Sequence, residues 1–135
     1  MSISVGILGA TGYTGAELIR LLHNHGQAGI TYCSSRQYNG KKISQVLGFL
    51  QGCADYELEE FDAKSIKNRC DLIFSCLPHG ISMGFISDII DSVKVVDLSA
   101  DFRITDEQTY TKWYTKHSCA GLLSSAAYGL CEIYR

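Results

Sequence analysis

Short apolar runs and stretches with helical spacing follow one another along the chain, in the pattern of alternating strands and helices. Four apolar runs predict strands at residues 3–8, 30–33, 71–77 and 94–98. Helices are predicted over residues 13–25, 43–50, 63–68, 80–90 and 106–116, the last with Thr105 as its N-cap. Weaker apolar patterns predict two further strands, at residues 56–61 and 126–130.

The near-continuous apolar runs indicate the class of sheet. A strand such as Leu72-Ile73-Phe74 has no polar face, so both of its faces must be covered. Strands of this kind, separated by helices, are typical of a mostly parallel sheet with helices on both sides. We therefore expect a doubly wound α/β fold, in one domain that takes in all 135 residues.

Composition and charge narrow the classes of function. The chain has 46% hydrophobic residues and a formal net charge of −2, so it offers no basic surface for nucleic acid or an anionic membrane. No apolar run approaches the roughly 18 residues that a membrane span needs, and no signal-like segment begins the chain. We expect a soluble, cytoplasmic protein whose six cysteines are reduced thiols, with no metal site.

The first candidate for chemistry is a glycine-rich turn between the first strand and the first helix. Gly9, Gly12 and Gly15 stand at a spacing that lets the backbone approach a pyrophosphate, with free amides at the helix start facing the anion. The alternative is a tight turn that needs glycine only for steric reasons. The order strand, turn, helix favours dinucleotide binding and a Rossmann-type sheet. The predicted cofactor contacts here are Gly9, Thr11, Gly12, Tyr13, Thr14 and Gly15.

The end of the second strand bears on which dinucleotide binds. NAD-binding domains place a carboxylate there for the ribose 2′-hydroxyl, whereas this chain has Ser34, Ser35 and Arg36. Two hydroxyls and a guanidinium suit the dianionic 2′-phosphate of NADP, which an acid would repel. The alternative for Arg36 is an ordinary solvated loop charge. We therefore expect NADP(H) as the cofactor, with these three residues among its contacts.

A further segment follows the strand at residues 71–77, at the edge of the sheet where doubly wound folds bind ligands. We expect Leu77, Pro78 and His79 to touch the cofactor. His79 is either a proton donor or cofactor contact, or a surface residue beside a turn. For Cys76, the apolar strand favours an inert buried thiol over a nucleophile.

Residues 97–103 end the strand at 94–98 and combine two carboxylates with a guanidinium. Asp97, Asp101 and Arg103 either form an internal ion pair or orient an active site, and the sequence leaves both interpretations open.

Four blocks of the sequence combine into a more selective pattern. They are the glycine block at residues 9–18, Leu-Pro-His-Gly at 77–80, Asp-Leu-Ser-Ala-Asp-Phe-Arg at 97–103 and Tyr-Gly-Leu at 128–130. Together they resemble the N-acetyl-gamma-glutamyl-phosphate reductases of arginine biosynthesis, over the whole chain. The glycine block alone is shared with many NADP proteins, including aspartate-semialdehyde dehydrogenase. Cys131 departs from the pattern, because the family usually has proline at this position.

The resemblance implies a reaction in which NADPH reduces an acyl phosphate to a semialdehyde, after an active-site thiolate has displaced phosphate. It also implies a nucleophile in a Gly-Cys-Tyr-like motif shortly after the Tyr-Gly-Leu block, and a histidine base in a following α+β domain. We therefore expect residues 1–135 to be the NADP-binding domain of a longer enzyme, inactive by itself and without a catalytic residue of its own.

The same resemblance implies that the whole enzyme is a homo-oligomer with a small acyl-phosphate substrate. Two alternatives stay open at the level of the sequence. One is a stand-alone NADP-binding sensor or scaffold domain. The other is the cofactor domain of an enzyme like aspartate-semialdehyde dehydrogenase.

Overall fold

The fold is built on one sheet of four parallel strands. The computed structural model describes residues 2–52, 55–129 and 132. The strands are β1 (Ile3–Leu8), β2 (Ala28–Ser34), β3 (Leu72–Ser75) and β4 (Lys94–Asp97), in the spatial order β2-β1-β3-β4. Every neighbouring pair is parallel, so the carboxyl ends of the strands lie at one edge of the sheet.

Helices connect the strands. The α-helices are α1 (Tyr13–His23), α2 (Ile43–Val46), α3 (Ala63–Arg69), α4 (Ser82–Ser87) and α5 (Glu107–Trp113). Two 3-10 helices span Gly48–Leu50 and Ala120–Ser125. Among the helices of the described residues, none has the length and apolar character that crossing a membrane requires.

The sheet buries a separate hydrophobic cluster on each face. Successive strand residues point to opposite sides, and Ile7 and Leu8 of β1 accordingly join different clusters. Ile7 packs in the cluster that contains Ile19 of α1, while Leu8 packs in the cluster that contains Ile66 of α3 and Ile73 of β3. Helices therefore cover both faces, and the predicted doubly wound, mostly parallel sheet is confirmed.

The strand order reverses direction at β1. The chain passes from β1 to β2 on one side, and β3 then lies on the other side of β1. The loops that leave β1 and β3 begin side by side, because the amide of Cys76 donates to the carbonyl oxygen of Leu8 at 2.9 Å. In doubly wound folds, ligands bind in the crevice at such a reversal, outside the carboxyl ends of the strands.

The two weaker strand predictions are wrong. In residues 56–61, Glu57 pairs with Lys42 in an antiparallel bridge, while Glu59 pairs with Ser34 in a parallel bridge. Alternate residues therefore pair with different segments in opposite directions, and no continuous ladder can form. No strand forms at residues 126–129 either, because the Ala126 amide donates back into the preceding 3-10 helix; residue 130 lies outside the described residues.

Three helix predictions also need correction. The predicted helix over residues 43–50 is interrupted, because Leu47, at φ −116° and ψ 87°, separates α2 from the 3-10 helix Gly48–Leu50. Thr105 does not cap α5: Asp106 does, accepting a hydrogen bond from the Thr109 amide at 2.7 Å, and the bonds from Thr109 lower the pKa of the Asp106 carboxyl. Helix α4 has 6 residues instead of spanning 80–90. Its start is delayed because Gly80 adopts a φ of +79°, outside the range of a right-handed helix.

Candidate functional site

Two of the glycines in the turn after β1 are required by the fold itself. Gly9 has a φ of +75°, and a Cβ there would lie 2.9 Å from the carbonyl oxygen of Cys76 in the loop after β3. A Cβ on Gly15, in the first turn of α1, would lie 2.5 Å from the carbonyl oxygen of Gly9. Both glycines therefore allow the turn, α1 and the β3 loop to approach one another closely.

Gly12 differs from these two, because no atom of the protein requires a glycine there. Its φ of −75° suits any residue, and the nearest atom to an added Cβ would be the Gly9 carbonyl oxygen at 3.4 Å. Gly12 is the exposed N-cap of α1, and the amides of Tyr13 and Thr14 that follow donate to no acceptor in the described residues. Unpaired amides at a helix start, approached through open space, are the groups that bind a phosphate.

The end of β2 braces the glycine turn. The Ser34 hydroxyl accepts a hydrogen bond from the Gly9 amide at 3.3 Å, and the Ser35 and Thr11 hydroxyls lie 3.2 Å apart. Ser34 and Ser35 are each 6% exposed, so their hydroxyls form partly buried hydrogen bonds that stabilise the turn. Arg36, by contrast, is exposed, and none of the ion pairs of the described residues includes it.

The loop after β3 lies at the same edge. Leu77 is half-buried, while Pro78 and His79 are exposed. The His79 ring packs edge-on against Tyr114, with ring centroids 5.2 Å apart. Because Cys76 contacts the Gly9 position directly, this loop begins beside the glycine turn.

The carboxyl ends of β3 and β4 are joined by a chain of hydroxyl groups. The Ser75 and Ser82 hydroxyls lie 2.6 Å apart, and Ser82 donates to the Asp97 carboxylate at 2.8 Å. Ser99 donates to the other oxygen of Asp97 at 2.6 Å. The Ser99 amide also donates to Asp97, at 3.1 Å, so this carboxylate is satisfied by two hydroxyls and an amide instead of by a cation.

Asp101 is a buried carboxylate that holds the loop after β3. It is fully buried and accepts from the amides of Gly80 at 2.7 Å and Met83 at 2.9 Å, and from the Tyr110 hydroxyl at 2.7 Å. Arg103 donates to a backbone carbonyl instead, so the internal Asp–Arg pair, one of the two expected alternatives, does not form. Asp101 thus fixes the loop that carries His79 and the start of α4.

The thiols of the site are poorly suited to nucleophilic attack. Cys33, Cys70, Cys76 and Cys119 are free thiols, while Cys53 and Cys131 lie outside the described residues. Burial, with a smaller contribution from the Asp97 charge, raises the pKa of Cys76 to about 12, and burial also raises the pKa of Cys119. At neutral pH these thiols stay protonated.

In the part of the chain that the structure describes, no group of three or more His, Cys, Asp or Glu side chains is placed to hold a metal ion.

A separate cavity of about 270 Å³ lies beside β4. Its polar lining includes Asp97, Ser99, Arg103 and Ser125, and its apolar lining comes from β4, from residues in and just after α4, and from residues 122–128. None of residues 9–15 lines it, so this cavity is distinct from the glycine turn.

The structure thus brings three predicted segments to one edge of the sheet: the glycine turn, the end of β2 and residues 77–79. Sequence reasoning missed Tyr110 and Tyr114, which support the last of these. Tyr110 lies in α5 and Tyr114 is its C-cap, so their spacing of four residues places both on the same side of this helix, and this spacing is visible in the sequence. Their contacts with Asp101 and His79 depend on tertiary packing, which the spacing does not reveal.

Four parallel strands with a reversal at β1, helices on both faces and a glycine turn at the reversal define a Rossmann-type dinucleotide-binding domain. The sequence model of the family described as semialdehyde dehydrogenase, NAD binding domain, matches residues 4–135. The chain belongs to this family, and its ligand is a nicotinamide cofactor.

Individual relatives agree with this assignment. Two proteins named N-acetyl-gamma-glutamyl-phosphate reductase, from Desulforapulum autotrophicum and Magnetococcus marinus, are 45% and 46% identical to the chain over 98% and 99% of its length. The chain spans 39% of the length of each. The crystal structure of aspartate semialdehyde dehydrogenase with NADP from Candida albicans shares the fold, with a TM-score of 0.69 and 21% identity over 92% of this chain and 45% of that chain.

Proposed function

We propose that the chain is the NADP(H)-binding part of an N-acetyl-gamma-glutamyl-phosphate reductase. Such an enzyme converts N-acetyl-gamma-glutamyl phosphate, a small acyl phosphate, into N-acetylglutamate 5-semialdehyde. The proposal is supported by the names of the relatives, which match nearly the whole chain. The chain spans 39% of their length, and we further propose that residues outside this chain complete the substrate site.

The open position at Gly12 carries the cofactor part of the proposal. Gly9 and Gly15 are explained by contacts within the protein, whereas a side chain at Gly12 would enter space in front of the Tyr13 and Thr14 amides. A pyrophosphate needs this space and these donors. Steric needs of the turn explain two glycines, and a bound phosphate explains the third.

The charge at the end of β2 favours NADP over NAD. Arg36 is exposed there, and no acid follows the strand at residues 34–36. Glu59 pairs with Ser34 along the backbone, but its carboxylate is bonded to Arg69 at 2.8 Å. A free guanidinium without a competing acid suits a 2′-phosphate.

In this proposal the chain's own residues bind and orient the cofactor, and other residues of the enzyme carry out the covalent chemistry. When bound, NADPH supplies the hydride that the reduction requires. The helix-start amides bind the pyrophosphate, Arg36 binds the 2′-phosphate and residues 77–79 contact the cofactor from the β3 side. The raised pKa of Cys76 and of Cys119 argues against either thiol as the nucleophile, and we assign the nucleophile to the rest of the enzyme on the resemblance to the reductases alone.

Two measurements on the purified 135-residue chain test the proposal. Fluorescence titration is expected to show saturable NADPH binding, about one to two orders of magnitude tighter than NADH binding, since a hydrogen bond to a charged group contributes roughly 1.5 to 3 kcal/mol. Phosphate-dependent oxidation of the semialdehyde is expected to stay at the level of a control without protein. Absence of NADPH binding would contradict the cofactor assignment, and oxidation above the control would place the nucleophile within this chain.

A further inference from the structure

We propose that Tyr114 is a positioning residue that holds the His79 imidazole at the cofactor crevice, through a support that begins at the buried carboxylate of Asp101. The inference rests on the proposed cofactor function of residues 77–79. Neither Tyr114 nor Asp101 belongs to the predicted cofactor contacts.

The contact between Tyr114 and His79 defines the position of the imidazole. Their rings meet edge-on, with centroids 5.2 Å apart and an interplanar angle of 65°. His79 is exposed, and within the described residues its side chain takes part in no hydrogen bond. The Tyr114 ring is therefore the aromatic wall against which the imidazole rests.

Tyr114 is itself supported from inside the protein. Its ring stacks on Tyr110, with centroids 5.1 Å apart and an interplanar angle of 21°. Tyr110 is fully buried, and its hydroxyl donates to Asp101 at 2.7 Å. Offset stacking of this kind fixes the plane of the outer ring by that of the inner ring.

The same carboxylate holds the other side of the contact. Asp101 accepts from the amides of Gly80 and Met83, which flank the turn immediately after His79. One buried side chain thus anchors both the loop that carries His79 and the aromatic stack that Tyr114 completes. The His79 loop and the aromatic stack are restricted in moving relative to each other, because both are hydrogen-bonded to the same buried carboxylate.

The exposure of Tyr114 indicates that its ring does more than complete the core. Tyr114 is 42% exposed at the carboxyl end of α5, so its ring gains only part of the free energy that full burial would give. Its neighbour Trp113 is 72% exposed and pairs with no aromatic ring of the described residues. Trp113 is therefore a matched control on the same helix end.

The test compares Tyr114→Leu, Tyr114→Phe and Trp113→Leu with the wild-type chain. The imidazole resonances of His79, assigned by their loss in His79→Gln, are recorded without cofactor by NMR, and NADPH affinity is measured by fluorescence. Tyr114→Leu is expected to shift the His79 resonances and to weaken NADPH binding about two- to tenfold, the effect of one aromatic pair. Tyr114→Phe is expected to show the His79 resonances and the NADPH affinity of the wild-type chain. Trp113→Leu is expected to change neither quantity.

Each other result overturns the inference. An unshifted His79 signal in Tyr114→Leu would show that Tyr114 does not position the ring. A shifted signal with unchanged NADPH affinity would show that the position of the ring does not serve the cofactor. If Trp113→Leu weakened binding as much as Tyr114→Leu, the effect would be a general one of this helix end. If Tyr114→Phe did so, the hydroxyl and not the ring would be responsible. Failure of the wild-type chain to bind NADPH would instead refute the proposed function, and this inference with it.

Discussion

The carbonyl oxygen of Gly9 lies 2.5 Å from the position that a Cβ would take on Gly15, so α1 can approach the end of β1 only because residue 15 has no side chain. This contact separates the glycines that the fold requires from the one that it does not. The separation makes the roles of the turn testable one residue at a time.

Gly15→Ala is expected to destabilise the fold. The added methyl group would press on backbone atoms, and overpacking of this kind costs about 1 to 3 kcal/mol of the free energy of unfolding. Urea denaturation followed by circular dichroism measures the loss. The matched control is Gly84→Ala in α4, where a Cβ would meet nothing within 4 Å and is expected to raise stability by roughly 0.5 to 1 kcal/mol. Equal stability changes in the two variants would contradict the packing role of Gly15.

Gly12→Val is expected to abolish NADPH binding while the domain stays folded. The side chain would enter the space in front of the helix-start amides, and its Cβ would meet only the Gly9 oxygen, at 3.4 Å. Loss of the preferred N-cap glycine costs about 1 kcal/mol or less. Fluorescence titration and circular dichroism measure the two effects. Gly26→Val, at a turn where a Cβ meets nothing within 4 Å, is the control that should bind normally. Unchanged affinity in folded Gly12→Val would remove the phosphate assignment.

Arg36→Ala is expected to weaken NADPH binding about ten- to a hundredfold and to leave NADH binding nearly unchanged, because the guanidinium meets only the 2′-phosphate. Paired titrations with the two cofactors measure the difference. Lys67→Ala provides a charge control, since Lys67 is exposed on α3 near the amino ends of β1 and β4. Equal losses for NADPH and NADH would mean that Arg36 does not recognise the 2′-phosphate.

Cys76 is expected to resist alkylation in the folded chain. Burial raises the pKa of its thiol to about 12, above the value of about 8.5 for a free thiol. At about pH 8 the thiolate fraction, and with it the rate of reaction with iodoacetamide, should be at least a hundredfold lower than in the urea-unfolded chain. Peptide mass spectrometry measures both rates.

The same shift gives the sign of a stability effect. Because the folded-state pKa is raised, the contribution of the protonated thiol is complete below about pH 8.5 and is lost as pH rises toward about 12. Comparable alkylation of Cys76 in folded and unfolded chains would contradict its burial.

Local patterns explain how much of this fold could be predicted from the sequence. The apolar run that forms β1 ends where the glycines begin, and both signals lie within a few residues of one another. Residues 56–61 show a partial alternation of apolar and polar residues, yet they form no strand, because Glu57 and Glu59 pair with segments that run in opposite directions. An alternating pattern predicts which side chains are buried, but it does not predict which segment of backbone will pair with them.

The candidate site shows the same division. Spacing identified all three glycines, but only the packing of Cys76 and α1 distinguishes Gly12 from Gly9 and Gly15. The role of Asp101 was likewise hidden, because its partners include two backbone amides that have no signature in a sequence. The sequence gives the chemical type of each side chain, whereas the backbone groups that a side chain contacts are determined only by folding.

The most direct test of the central claim is to map NADPH on the chain by amide chemical-shift changes in ¹⁵N NMR spectra during a titration. NADPH bound at the glycine turn is expected to give the largest changes in residues 9–15, in residues 34–36 and in residues 77–80, with little change at the amino ends of the strands. Saturable changes confined to the cavity beside β4, or no saturable changes at all, would contradict it.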